Sequence, residues 1–120
     1  VDLSTIKALE TVKVEITHSA CEGVSFVLAG PTHPATRKAE QARADVLVKS
    51  KKAPKGSERD KIMHEFIAAR VISWEGVEWE GKPLECNHEN ALMVLSHPNL
   101  TFLRDEILIA LGDDEVFFKA

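Results

Sequence analysis

His18-Ser-Ala-Cys21 and Cys86-Asn-His88 set two thiols and two imidazoles in short-range pairs, the residue types that hold zinc when a fold brings them together. A tetrahedral site requires the two turns to meet, and Cys86-x-His88 is too tight for the common zinc knuckles. Asn87 also accounts for the second segment as a helix start, so neither a metal nor another cofactor is expected. The same set supplies a formal Cys–His nucleophile pair, but that chemistry needs a third, orienting group and an oxyanion pocket, and the sequence signals neither. His33, His64, His88 and His97 read as caps or surface groups. The chain has no GxxxxGK[ST] phosphate loop, no GxGxxG and no GxSxG turn, so no catalytic residue is expected and the protein is read as a non-enzyme.

What remains is the chemistry of contact. Tryptophan dominates protein-binding hot spots. Trp74 continues the face of Phe66 and Val71 and is expected in the core, which leaves Trp79 as the interface residue. Ala35, Ala39, Ala42 and Val46 recur at four-three-four spacing, a helical stripe of small residues that buries little area alone and therefore needs a neighbour or a partner. Phe117 and Phe118, in the tail, are expected to stay underburied. These seven residues form the expected partner-binding set.

The elements that must position them are legible from patterning. Residues 1–10 form an arm of undecided structure. Val12, Val14 and Ile16 alternate with polar residues, and Val24, Phe26 and Leu28 repeat the alternation, so residues 11–30 are expected to form a β-hairpin closed by Gly30-Pro31. Residues 31–112 are expected to be helical. The first helix begins at Pro34, with Thr32 or His33 as its cap. The second follows Ser57, whose spacing to Asp60 resembles a capping box, and runs to about Ser73. Its face of Ile62, Met63, Phe66, Ile67 and Val71 makes it the central core element, and Phe66→Ala would cost about 3–5 kcal/mol at full burial. Gly76, Gly81 and Pro83 make the following segment a turn or small hairpin. Asn87 caps a short helix to Leu95, and a last helix follows Pro98 and stops at Gly112. Residues 113–120 are a tail that turns away from the helix axis. The expected architecture is α+β: an N-terminal β-hairpin followed by about four helices in a small bundle.

Composition bounds the function. The chain has 120 residues, 44% of them hydrophobic, which suits a single domain over 1–120. A net charge of -4 opposes general nucleic-acid binding. The basic stretch from Arg43 to Lys61, including Lys49, Lys51 and Lys52, alternates with Asp45, Glu58 and Asp60 and lacks aromatics for base stacking. No apolar run nears the roughly 18 residues of a membrane span, and no signal peptide is evident, so a soluble cytosolic protein with free thiols is expected.

Phe26-Val-Leu-Ala-Gly-Pro-Thr-His-Pro-Ala-Thr-Arg37, then Trp74-Glu-Gly-Val77, then Gly81-Lys-Pro-Leu84 and Glu89-Asn-Ala-Leu92, occur in an order that resembles the tail assembly chaperones of long-tailed bacteriophages. The resemblance runs from Phe26 onward. It departs at Cys86, where an aromatic residue is expected. It implies a small protein of the host cytoplasm that binds the tape measure protein, helps recruit tail tube protein subunits during tail morphogenesis, and self-associates as a homo-oligomer. A virion connector or minor tail component, and a phage-encoded module that binds a host protein, are the competing classes. All three would lack catalysts, and for this chain no cofactor, nucleic-acid partner or membrane partner is expected.

Overall fold

The computed structural model describes residues 1–50 and 52–119. Lys51, part of the basic stretch after the first helix, and Ala120, the last residue of the tail, lie outside the described residues. A 3-10 turn at Leu3–Thr5, capped by the Asp2 carboxylate, leads into the two-residue strand β1 (Lys7–Ala8). Strands β2 (Thr11–Glu15) and β3 (Ser25–Ala29) pair antiparallel with Val12 opposite Leu28 and Val14 opposite Phe26. Their alternation places Phe26 and Leu28, both fully buried, on the core side.

Helix α1 (Pro34–Lys49) starts at the expected proline, with the His33 ring accepting a hydrogen bond from the Ala35 N–H at 3.0 Å. Helix α2 (Ser57–Ala69) departs from expectation at both ends. Its N-cap is Gly56, at a φ of 57°, and no side chain caps it, so Ser57 and Asp60 lie inside the helix rather than forming a capping box. Glycine adopts this backbone region without the Cβ penalty of other residues, which lets the chain enter the helix one residue early.

The helix also ends at Ala69, and Val71–Glu75 is a strand, β4, antiparallel to β3 with Trp74 opposite Phe26. The expected hairpin is therefore the first half of a three-stranded sheet in the order β2-β3-β4. A β-bulge gives this strand its helix-like spacing. Val71 pairs with Leu28 and Ser73 with Val27, so Ile72 is the extra residue, and it is exposed. The bulge stretches the strand's in-facing spacing from two residues to three, and Val71 and Trp74 then mimic a helical face.

Glu78–Trp79 (β5) and Lys82–Pro83 (β6) form the expected small hairpin. Helix α3 (His88–Ser96) is capped by Asn87, whose side chain accepts from the Asn90 N–H at 2.8 Å. A 3-10 turn at Pro98–Leu100 passes into helix α4 (Thr101–Leu111), which Gly112 ends. The described part of the tail, 113–119, forms regular elements. Asp113 caps a short fifth helix, α5 (Asp114–Phe117), and β7 (Phe118–Lys119) pairs antiparallel with β1. Among the described residues the architecture is α+β with five α-helices, but strands bracket the helices instead of preceding them.

One hydrophobic cluster joins the inner sheet face to α2, α3, α4 and α5 through Phe26, Leu28, Ile67, Leu95, Ile107 and Phe117. Trp74 meets Phe26 edge-on, ring centroids 5.6 Å apart, and its indole N–H donates to the Leu84 carbonyl at 2.8 Å. Trp74 thus packs on the core as expected, from a strand instead of a helix. Gly30 closes this region by backbone proximity. Its N–H donates to the Glu10 carbonyl at 2.7 Å, and a Cβ there would overlap the Leu9 carbonyl oxygen. Both partners are main chain, so no side-chain rotation relieves the overlap. Gly30→Ala is expected to destabilise by about 1–3 kcal/mol, and urea unfolding with a loss under ~0.5 kcal/mol would contradict this packing.

Candidate functional site

Among the described residues, helix α1 buries side chains only in its N-terminal half. Thr36 and Ala39 are buried, and the Thr36 hydroxyl donates to the Ala29 carbonyl at 3.3 Å. Every residue from Glu40 to Lys49 is exposed, including Val46 at 48% and Val48 at 84%. Sixteen residues make a helix of about 24 Å, so roughly its second half stands off the core.

Between α1 and α2 lies a groove of about 850 Å³. One wall is the sequence stripe itself: Ala35, Ala39, Ala42 and Val46 all line it. The opposite wall comes from α2, chiefly Ile62, Phe66 and Ala69. Phe66 is therefore not the fully buried centre of the core that its periodicity suggests. It is half-buried in the groove, with the Arg43 guanidinium 4.0 Å from its ring centroid. The condition attached to a 3–5 kcal/mol loss for Phe66→Ala is not met. On α2 it is Ile67 and Ala68 that enter the core.

The rim is charged. Lys38, Arg43, Glu58, Lys61 and Glu65 line the groove beside the apolar walls, and the Glu65 carboxylate is engaged by the His88 ring at 2.8 Å. The mouth is continued by the loop through Pro54.

The other residues of the expected contact set lie elsewhere. Trp79 sits half-buried on the β5–β6 hairpin, edge-on to the His97 ring at 5.5 Å. Phe117 is 1% exposed and belongs to the core, which overturns its assignment as a partner-binding residue. Asp113 turns the chain into α5 and drives Phe117 inward, while Phe118, one residue on in β7, faces outward at 38% exposure. Sequence reasoning missed Arg43 and Phe66 as groove residues, because their stacking joins two helices and leaves no local pattern.

The cysteine and histidine pairs do not converge. The His18 ring stacks on Phe102 with centroids 4.3 Å apart, and His88 is held by Glu65. No group of three or more His, Cys, Asp or Glu side chains among the described residues is placed to hold a metal ion. Burial pushes the Cys21 thiol up, with the nearby Glu106 adding to the effect, and burial alone raises Cys86. Both sulfurs stay protonated at neutral pH and are weak nucleophiles.

The molecule exposes more than a compact monomer of its size should. Its accessible surface is 8215 Å², against about 6,450 Å² expected from the mass scaling for 13.3 kDa. The radius of gyration is 15.4 Å, against about 13.6 Å for a compact chain of this length. The excess, about 1,800 Å², exceeds the ~800 Å² that one partner buries in a standard interface. Among the described residues, no helix is long and apolar enough to cross a membrane. Compared with known protein families, curated proteins and solved structures, the chain finds no match.

Proposed function

We propose that this protein is a non-enzymatic tail assembly chaperone that seats an apolar helical stretch of the tape measure protein in the α1–α2 groove. Its role is to keep that long helical partner soluble in the host cytoplasm while tail tube protein subunits are recruited, with several copies arrayed along it. The groove carries this reading. A small-residue wall on one helix and Ile62 and Phe66 on the other form an open trough that an amphipathic helix fills by the helix-in-groove mode. Supporting it are the surface in excess of a compact monomer's and the resemblance that begins at Phe26.

Co-expression with the neighbouring tape measure protein tests the proposal. The expected result is more soluble tape measure protein, co-purifying with this chain, and an absence of this chain from purified mature virions. No gain in solubility with no co-purification overturns it. Recovery in virions at fixed stoichiometry would assign the chain to the structural class instead.

A further inference from the structure

We infer that the α1–α2 groove selects an amphipathic helix whose apolar ridge is flanked by carboxylates, a choice made by the charge of the groove's rim. The inference rests on the reading of this groove as the seat of a partner helix, and it names the chemistry of that helix.

Dimensions set the first requirement. From Ala35 to Val46 the stripe advances about 16 Å, three helical turns. Alanine at three of its four positions lets a second helix approach toward the short end of the ~8–10 Å range of axis separations. The occupant therefore presents about three turns of apolar ridge, and larger side chains from it can reach between Ile62 and Phe66.

Charge sets the second. Lys38 and Arg43 on α1 and Lys61 on α2 line the groove, and among the described residues none of the three makes an ion pair. The two carboxylates that line it are Glu58 and Glu65, the latter engaged by the His88 ring, so cations outnumber carboxylates three to two. An acidic chain of net charge -4 thus carries a locally basic groove. Arg43 is the sharpest feature. Its guanidinium lies over the Phe66 ring, where it keeps a cation–π contact while its N–H fork stays available to a carboxylate. A carboxylate one turn along a seated helix would complete that arrangement.

The same charges disfavour the other occupants. A second copy docked symmetrically, groove to groove, would offer its own α1, which carries Arg37, Lys38, Arg43 and Lys49 against Glu40 and Asp45, so cations would meet cations. Nucleic acid finds apolar walls and a Phe66 face already covered by Arg43, with no open ring for a base.

The test uses two labelled 18-residue helical peptides with one Ala/Leu ridge, flanked by Glu in one and by Lys in the other. Binding to the full chain is read by fluorescence anisotropy, alongside co-purification of the tape measure protein. The wild-type chain is expected to prefer the Glu-flanked peptide by about tenfold or more at 50 mM NaCl, with most of that preference lost at 500 mM as salt screens the rim. The triple variant Lys38→Glu, Arg43→Glu, Lys61→Glu should reverse the preference. Ala42→Trp, at an exposed position that leaves the core untouched, should block both peptides, with circular dichroism confirming that each variant is folded. Equal affinities, a preference for the Lys-flanked peptide, no binding of either, or binding indifferent to Ala42→Trp overturns the inference. So does a dimer in sedimentation that Ala42→Trp abolishes. If the Glu-flanked peptide is selected but the tape measure protein is not retained, the chaperone reading fails and the groove chemistry stands. Retention of the tape measure protein unaffected by the triple variant gives the converse.

Discussion

Phe117→Ala is expected to lower the unfolding free energy by about 3–5 kcal/mol, the cost of deleting a fully buried aromatic ring. At 1% exposure the ring fills the core beside Ile107 and Leu95, and the Arg70 guanidinium lies 5.6 Å from its centroid. Domains of this size are stable by only about 5–15 kcal/mol, so the variant should lose a large fraction of its margin. Phe118→Ala is the control. It removes a ring that is 38% exposed on a two-residue strand, and its cost should stay below about 1 kcal/mol. Urea denaturation of both variants separates the two positions. A Phe117→Ala loss as small as that of Phe118→Ala would contradict the placement of the tail.

The second large effect is expected at Arg70, the residue that ends α2. It is 7% exposed, and its Nε and Nη2 both donate to the Ala29 carbonyl, at 3.2 and 2.7 Å. The Arg70 carbonyl in turn accepts from the Ala29 N–H at 2.8 Å. Burial lowers the guanidinium pKa, Glu40 opposes that and Arg43 adds to it, but the group stays charged at any physiological pH. Its stem and plane also pack between Phe66 and Phe117. Arg70→Ala removes the fork and the packing together. It leaves the Ala29 carbonyl only the Thr36 hydroxyl, and should cost about 3 kcal/mol. Arg70→Lys retains the charge but not the fork, so it should fall between the parent and Arg70→Ala. A loss below ~1 kcal/mol for Arg70→Ala in equilibrium unfolding would show that this latch contributes little.

Local chemistry was readable, and long-range pairing was not. The alternation through Val12 and Val14, the His33-Pro34 start of α1 and the Asn87 cap of α3 each act within a few residues, and each lies where the pattern places it. The Ala35 to Val46 stripe was equally plain, because helical spacing alone puts its four residues on one wall of the groove. Strand β4 escaped because its bulge at Ile72 gives Val71 and Trp74 the spacing of a helix. Phe117 escaped because its burial depends on β1 receiving β7 from the far end of the chain. Arg70 gave no signal at all: its partner is a main-chain carbonyl 41 residues away. The Arg43–Phe66 stack likewise exists only once two helices are set side by side.

The β1–β7 ladder also has a mechanical consequence. Lys7 lies opposite Lys119 and Ala8 opposite Phe118, so a load applied before Lys7 and after Lys119 acts on the same end of an antiparallel pair. Such a pair opens like a zipper, one rung at a time, instead of resisting in shear across all rungs together. The next rung is the Leu9 N–H to the Phe117 carbonyl at 2.7 Å, and once it parts, the force pulls directly on the ring that plugs the core. Tension between the ends would therefore strip the tail and unseat Phe117 while the β2–β3 pairing and the groove helices are still intact.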